Sequence, residues 1–462
     1  MKMTKLFRRS VLVHPQLYAV TYLLLIFIAA PSMVFATPVI RGLESGGATI
    51  QHGAELTIQG AGFGDKVDAP PVLVDYVENA FENGKENRVY SNYEDGKVIE
   101  AASDNPESLW GASTSDLPVR YDTKSQPRHP HDKARYRLYG ENVWLGRPVA
   151  YGGVSGWDTP TNNPQLYLSW WVKVDYNSLY YWRFNPLNIS GDFSPGEDVL
   201  IDGEVGGHYI GRDKEGLLNF VLQGHVNANK LKGIQIVGSD SGAKTQFPDN
   251  FRAGDGYGYE SPGTKTLRIW DDPKSRGIRT SLSHSDYFLS AYSGPEYSSN
   301  RIYQERNMVP DVWHHFEVEL DVEKGTFKSW FNGDLGGVAK FDPKAAYPDA
   351  YSPTIALIGN NAKQDHLQTM YISEIYMDKS VQRVVIGDAP EYDDLTHYEI
   401  QRPIRWNDNE IEFMVNFGSL DPSHDLYVYV FDENGMPNLE GFALCASGDC
   451  PSPPEPITLQ VN

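Results

Sequence analysis

Cysteine is nearly absent from this chain. Cys445 and Cys450 are its only two cysteines, and four residues separate them. With no further cysteine and no histidine nearby, a metal or redox pair is the weaker interpretation. In an exported protein, so close a pair is expected to form one small disulfide loop.

Positive charge is also in short supply. The chain has 40 Lys and Arg against 61 Asp and Glu, for a formal net charge of −21. Such a chain repels the phosphates of nucleic acids and anionic membranes, so neither is an expected partner. The imbalance also argues against long-range attraction of a polyanionic substrate, although a local cationic patch could override it.

A long apolar run occurs only near the start. Basic residues between Lys2 and Arg9 precede an apolar run at 19–30, and small residues lead up to Ala36. This order predicts a secretory signal peptide over residues 1–36, with an uncleaved N-terminal anchor as the alternative. The expected location is therefore secreted, periplasmic or on the cell surface, with no membrane span after cleavage.

No long helical period follows this leader, whereas aromatic and turn-forming residues are plentiful. The chain contains 28 Tyr, 10 Trp, 42 Gly and 30 Pro. Aromatic and β-branched residues separated by turn residues favour strands, so we expect an all-β protein. The length suggests two or three domains.

The two ends of the chain carry similar short strands. Gly-punctuated alternation over 46–64 has a counterpart in the alternating segments 410–416 and 425–430. Since neither end can bury a core alone, we expect residues 37–66 and 395–462 to pair as two halves of one small β-sandwich. The alternative is an added N-terminal strand pair with an independent C-terminal module.

The long segment between these halves, residues 72–387, is predicted to be a jelly-roll sandwich. Its clearest element is a hairpin whose strands are 313–321 and 326–331. Period two places Phe316 and Val318 on the inner face and His315 and Glu317 on the outer face.

This hairpin, the strand at 166–174 and the strand at 371–378 together resemble concanavalin A-like lectin/glucanase jelly rolls, including laminin G-like and polysaccharide-lyase modules. The flanking halves resemble IPT/TIG immunoglobulin-like domains, through Leu56-Thr57-Ile58, Gly60-x-Gly62-Phe63-Gly64 and Trp406. The first resemblance implies a sandwich that handles carbohydrate.

A cationic strand is the main candidate for ligand binding. Alternation places Arg135, Arg137 and Tyr139 on one face of the strand, and guanidinium groups pair with the carboxylate or sulfate of an acidic sugar. In alginate-lyase jelly rolls, which this strand loosely resembles, arginine neutralises a uronate carboxylate. The acid that those enzymes carry between their arginines is missing here. The alternative is a solvated convex face that pairs with surplus acids.

Aromatic side chains supply a second argument, because sugar rings stack on exposed indole rings. We expect Trp170 in the core and Trp171 on the opposite face, where it could meet a ligand. Trp270, Arg183 and His208 are further candidates for the same cleft, although each could equally be structural.

One metal site is suggested by resemblance alone. Glu82 and Asp378 are similar in position to the first-and-last-strand calcium site of some carbohydrate-active jelly rolls, and oxygen ligands suit Ca²⁺. Ordinary turn acids are the alternative, and no other cofactor is expected.

Taken together, the sequence favours a non-enzymatic protein that binds a polysaccharide or a cell-surface glycan. A polysaccharide lyase or glycoside hydrolase is one alternative, and a structural adhesion module is another. No residue stands out as catalytic.

Overall fold

The computed structural model describes part of the chain in detail. The described residues are 37–47, 49–87, 93–101, 105, 107–111, 119–139, 143–146, 148–151, 164–175, 180–213, 215–225, 227–249, 264–270, 277–282, 286–293, 298–305, 309–340, 354–360 and 369–444. Over 264–305 and 354–360 the backbone alone is described. The predicted leader and both cysteines lie outside the described residues.

The described residues are almost entirely β-strand, which confirms the predicted all-β class. The first strands are β1 (Val39–Glu44), β2 (Glu55–Ala61), β3 (Leu73–Asp75), β4 (Ala80–Glu82), β5 (Lys85–Asn87), β6 (Arg120–Asp122), β7 (Arg135–Tyr139) and β8 (Val143–Gly146). The next are β9 (Gln165–Val174), β10 (Tyr181–Phe184), β11 (Leu187–Ser190), β12 (Asp198–Ile201), β13 (Glu204–Arg212), β14 (Leu218–Leu222), β15 (Gln235–Gly238) and β16 (Lys244–Gln246).

The second half continues in the same way. Its strands are β17 (Thr264–Trp270), β18 (Gly277–Leu282), β19 (Asp286–Ser293), β20 (Ser298–Glu305), β21 (His314–Asp321), β22 (Thr326–Phe331), β23 (Asp334–Lys340), β24 (Thr354–Asn360), β25 (Thr369–Asp378), β26 (Arg383–Gly387), β27 (Tyr398–Ile400), β28 (Arg402–Asn407), β29 (Glu410–Met414), β30 (Leu426–Phe431) and β31 (Phe442–Leu444). In the described ranges, the helical segments are the single turn α1 (Ala228–Leu231) and 3-10 turns at Val149–Tyr151 and Tyr392–Asp394.

The two ends of the described chain meet in one sheet. Strand β2 pairs antiparallel with β29, so that Leu56 lies opposite Phe413 and Ile58 opposite Ile411. This sheet, in the order β1-β2-β29-β28, faces a second sheet in the order β27-β26-β30-β31. Both contribute to one apolar core, and we call the pair of sheets the small sandwich. Strand β26 belongs to it, although the sequence places residues up to 387 in the jelly roll; the domain boundaries stay predictions.

A ten-stranded sheet forms the centre of the molecule. Its main order is β23-β22-β21-β9-β25-β3-β4-β5, with β7 also pairing with β25 and β6 pairing with β7. The predicted hairpin is present as β21 and β22, and Phe316 and Val318 lie in the core as expected. Strand β8, at the end of the sheet ordered β20-β19-β18-β17-β24-β8, adds Val143 and Leu145 to the same core.

A further sheet is inserted between β9 and β17. Its seven strands run in the order β10-β14-β13-β12-β15-β16-β11. It encloses its own core, in which Trp182, Phe220 and Phe247 are fully buried. The sequence predicts that these residues belong to the single jelly roll at 72–387, whereas here they form a sheet of their own.

The small sandwich lies on the outer face of the central sheet. Alternation along β26 and β30 directs Val384 and Val430 into the small sandwich and turns Val385, Tyr429 and Phe431 the other way. The second set packs with Val74, Tyr167 and Tyr376 of the central sheet. Burying a large apolar side chain contributes roughly 1.5–3 kcal/mol, so this interface is strongly held. It covers part of the face on which the candidate residues lie.

Candidate functional site

Strand β25 organises the outer face of the central sheet. Its Tyr371 lies between Lys173 of β9 and Arg137 of β7, and Arg137 in turn lies opposite Arg120 of β6. These four side chains form a line across four strands that we call the open row. In the next line, Ser373 lies opposite Trp171. The two lines differ in how far they are covered, because loops and the small sandwich pack over the second line.

A β-bulge in β25 separates the covered region from its neighbours. The register with β9 shifts between Ser373 and Tyr376, and β25 exchanges β7 for β3 as its other partner. Within the bulge Glu374 has φ +50°, a left-handed conformation that costs a non-glycine residue about 1–3 kcal/mol. The bulge turns the Glu374 carboxylate towards the loop that follows β6.

That loop, residues 123–132, crosses the outer face, and we call it the strap. Its Arg128 is buried and donates to both carboxylate oxygens of Glu399, over 2.7 and 2.9 Å, and to Glu374. The guanidinium also lies 4.3 Å from the centre of the Trp171 ring. Since Glu399 belongs to β27 and Glu374 to β25, Arg128 joins the small sandwich to the central sheet.

Histidines continue this cluster towards solvent. The backbone N–H of His131 donates to Nδ1 of His129 over 3.1 Å. The His129 proton therefore lies on Nε2, from which it is donated to Glu374. His131 is exposed, and its ring stacks on that of His52 at 3.9 Å. Burial, reinforced by His131 and His129, lowers the pKa of His52 to about 4.

Trp171 faces away from the core, as predicted, but it is only 8% exposed. Its ring stacks on His315 with centroids 4.6 Å apart, while Trp170 packs in the core. His397 of the small sandwich lies 5.6 Å from the same indole. The expected stacking surface is thus covered by this chain's own side chains.

Arg135 is likewise covered, with 1% of its surface exposed. Its Nε donates to the carbonyl of Asp122 over 3.1 Å and its Nη1 to the carbonyl of Ser125 over 2.7 Å. The guanidinium therefore holds the start of the strap against the sheet. Because its donors are used in this way, the Arg135 guanidinium is not available to bind a ligand carboxylate.

Arg137 and Tyr139 remain accessible. Arg137 is half-buried, and within the part of the chain that the structure describes no hydrogen bond or ion pair engages its guanidinium. Tyr139 is 48% exposed at the end of the same face. Of the two predicted arginines, then, one supports the fold and the other is available.

The far end of the open row is both cationic and aromatic. The Lys173 ammonium lies 4.9 Å from the Tyr371 ring and 5.2 Å from the Trp313 ring, and donates to the carbonyl of Gln126 over 3.2 Å. Burial lowers the pKa of Lys173. Burial, together with Asp122 and Asp175, raises the pKa of Tyr371.

Two polar atoms at this end have no partner among the described residues. They are Oδ1 of Asp175 and Nε1 of Trp313, both buried from solvent. The other oxygen of Asp175 accepts the backbone N–H of Thr369 over 3.0 Å. Burial raises the pKa of Asp175 to about 7. A carboxyl and an indole N–H with unused bonding capacity suit a hydroxyl-bearing ligand.

Of the other predicted cleft residues, two lie on the inserted sheet and the third has a side chain that the structure does not describe. Arg183 is buried and paired with Asp213 at 2.5 Å and Glu215 at 2.8 Å, which favours a structural role. His208 is half-buried on β13, and burial lowers its pKa against the opposing influence of Asp198 and Asp311. The side chain of Trp270 lies outside the described residues.

The two predicted calcium ligands lie on different strands, and the carboxylate of one of them already forms an ion pair. Asp378 is buried and pairs with the Lys66 ammonium at 2.6 Å. Glu82 lies opposite Leu73 of β3, which in turn lies opposite Met377 of β25. Two strand spacings, roughly 10 Å, therefore separate the backbone of Glu82 from β25. Over the described ranges, no group of three or more His, Cys, Asp or Glu side chains is arranged to hold a metal ion.

Sequence reasoning missed the cluster around Arg128, Glu374 and Glu399. Arg128 lies 246 residues from Glu374 and 271 from Glu399, and the contact between the small sandwich and the central sheet brings the three together. One local signal was present: the run Arg128-His129-Pro130-His131-Asp132 concentrates titratable groups directly before the cationic strand.

Comparison with known proteins leaves the family open. No family model and no curated protein matches this chain. The resemblances to concanavalin A-like and IPT/TIG domains therefore stay predictions.

Solved structures with some likeness include three β-rich domains. They are the binding domain of Paraclostridial Mosquitocidal Protein 1 (10% identity, 79% of this chain and 65% of that one, TM-score 0.29), the cellulose-induced protein Cip1 (10%, 59% and 90%, 0.25) and domain 4 of the extracellular arabinanase AbnA from Geobacillus stearothermophilus, in complex with arabinotriose (12%, 63% and 84%, 0.25). At these TM-scores the likenesses decide neither a fold family nor a ligand.

Among the described residues, no helix has the length and apolar character needed to cross a bilayer.

Proposed function

We propose that this chain is a secreted or surface-located, non-enzymatic carbohydrate-binding protein whose ligand lies along the open row. The observation that supports this most directly is the position of Arg137. Its guanidinium is half-buried beside Tyr371 and has no partner among the described residues. A partly exposed guanidinium without an ion-pair partner among the described residues keeps its N–H donors for a ligand.

The neighbours of Arg137 suit an acidic sugar. Tyr139 offers an exposed ring on which a sugar face can stack, and Trp313 and Tyr371 add further aromatic surface. The guanidinium fork matches a carboxylate or a sulfate, and the buried Lys173 ammonium adds positive charge beneath the row. Because the protein as a whole is strongly acidic, we expect this attraction to act at contact distance rather than by long-range steering.

Cleavage of a uronate polymer by β-elimination is the second candidate, since it too needs an arginine beside a tyrosine. Elimination requires a group that removes a proton from the sugar. Burial and neighbouring acids raise the pKa of Tyr371, so its phenol is held in the protonated form. A protonated phenol can donate a proton but cannot accept one, so cleavage here would need a base other than Tyr371.

The proposal is tested by binding of uronate, sulfated and neutral oligosaccharides to the mature protein, measured by glycan array and titration calorimetry. We expect acidic oligosaccharides to bind and Arg137→Ala to weaken that binding at least about tenfold, the size expected for a lost charged hydrogen bond. Arg405→Ala is the matched control, because Arg405 is a strand arginine exposed on the small sandwich. It should bind like the wild type.

Two results would point elsewhere. A blank array would favour the structural adhesion module. Absorbance from an unsaturated sugar product, lost in Tyr371→Phe, would favour the lyase.

A further inference from the structure

The strap covers side chains that continue the open row. Beneath it lie Arg135, which holds the Ser125 carbonyl, and Trp171, over which Arg128 lies. Lys173 belongs to both regions, since it lines the open row and holds the Gln126 carbonyl of the strap. Moving from the Tyr371 line to the Ser373 line is a step of about 7 Å along the strands. Cations and an aromatic ring thus continue under the strap.

We call Arg135 and Trp171, with the sheet around them, the floor under the strap. Several buried polar atoms of the strap and of this floor lack hydrogen-bond partners among the described residues. Of the buried side-chain atoms without a partner in the described residues, four lie on the strap or in the line beneath it: Ser125 Oγ, Arg128 Nε, Asp132 Oδ1 and Ser373 Oγ. By contrast, the buried Asp75 carboxylate of the same sheet is fully engaged, since it accepts hydrogen bonds from Tyr136, Trp110 and Val77. Each unmade bond of a buried polar group costs about 1–3 kcal/mol, so the closed strap is held less securely than its burial implies.

One residue supplies most of the closure from the strap's own side. Arg128 binds the carboxylates of Glu399 and Glu374 and stacks on Trp171. An acidic sugar could offer the same kinds of contact, with its carboxylate on the Arg128 guanidinium and its ring on the Trp171 indole beneath. The chain's own glutamates hold the position that a sugar carboxylate would occupy.

We propose that the floor under the strap is an occluded second section of the carbohydrate groove, and that Arg128 with Glu399 forms the latch that closes it. The proposal rests on the proposed function at the open row. A long oligosaccharide bound at the open row extends towards the strap. There it competes with Glu399 for Arg128 and displaces the strap from the sheet. The ligand class is an acidic oligosaccharide long enough to span both lines of the sheet.

The latch is tested first without a ligand, by native-state hydrogen exchange. Glu399→Gln removes the charge that holds Arg128, and amides in 124–132 should then exchange at least about tenfold faster than in the wild type. Glu319→Gln is the control, because Glu319 is also a buried carboxylate and pairs with Lys328 at 2.6 Å on the same sheet face, away from the strap. Equal exchange in both variants and the wild type would overturn the latch.

The groove is tested with tetragalacturonate as the probe and cellotetraose as the neutral control. We expect Glu399→Gln to bind tetragalacturonate at least about fivefold more tightly than the wild type, because the competing closed state is weakened. In the wild type, saturation should speed exchange in 124–132 and slow it in 165–174. If Glu399→Gln does not fold, this wild-type measurement decides by itself.

The outcomes separate the two proposals. Binding that depends on Arg137 but leaves strap exchange unchanged, or slows it, overturns the occluded section and leaves the open row standing. Failure of the wild type and Glu399→Gln to bind any acidic oligosaccharide overturns both.

Discussion

Trp171 and His315 stack face to face across β9 and β21, with ring centroids 4.6 Å apart and planes 10° from parallel. The pair fills the region where the strap, the central sheet and the small sandwich meet. While the strap is closed, this indole packs against the protein's own side chains.

Trp171→Ala should therefore unfold more easily, by about 3–5 kcal/mol in the free energy of unfolding, because a large buried ring is replaced by a cavity. Urea denaturation followed by far-UV circular dichroism measures this. Tyr139→Ala is the comparison, since its exposed ring should change stability by no more than about 0.5 kcal/mol. Equal stability of the two variants would show that Trp171 is not a structural residue.

Substitutions of Arg135 and Arg137 should have different effects, although the two residues lie two positions apart on one strand. Arg135→Ala leaves the Asp122 and Ser125 carbonyls without their donor and should lower stability by about 2–4 kcal/mol. Arg137→Ala should melt like the wild type and lose acidic oligosaccharide binding. Melting curves and calorimetric titrations on both variants are the measurement, and a reversed pattern would contradict the assignment.

The histidine cluster predicts a loss of stability on mild acidification. His52 has a folded-state pKa of about 4 against an ordinary 6.5, so the unfolded chain binds more protons between these values. Stability due to His52 is complete above pH 6.5 and is lost as the pH falls towards 4. His52→Asn should flatten the slope of unfolding free energy over this window, and an unchanged slope would exclude His52 as its source.

Glu78 predicts the opposite slope. Burial raises its pKa to about 8 from an ordinary 4.5, so the folded protein holds a proton that the unfolded chain releases. Its contribution to stability is complete below pH 4.5 and is lost as the pH rises through 8. Glu78→Gln should be more stable than the wild type at pH 8 and differ less at pH 5, as thermal unfolding at both pH values can show.

Calcium should have little effect at the predicted first-and-last-strand position. The Asp378 carboxylate is already paired with Lys66, and Asp378→Asn should cost about 3–5 kcal/mol because it leaves a buried ammonium unpaired. Adding Ca²⁺ or a chelator should leave the wild-type melting temperature unchanged. A chelator-sensitive melting temperature that Asp378→Asn abolishes would restore the calcium site.

Local alternation was enough to predict which way the side chains of the hairpin and of Trp170 and Trp171 point. It could not predict how much solvent they meet, because exposure depends on what packs on the other face. Arg135 is buried only because the strap folds back over β7, and Trp171 only because the small sandwich docks there. The Arg128 cluster joins the strap to Glu374 and Glu399, which lie 246 and 271 residues further along the chain, and no periodicity records contacts at such distances.

The pairing of β2 with β29 has a consequence for how the protein is made. The bonded side chains of Gln59 and Glu410 are 351 positions apart, so during synthesis β2 has β1 beside it but lacks its second neighbour, β29, until those residues have been made. Until then its backbone edge is open to pairing with other nascent chains. Contacts of such separation also make folding slow. Premature termination anywhere before residue 410 would leave that edge permanently unprotected, and we expect such fragments to aggregate rather than accumulate as folded domains.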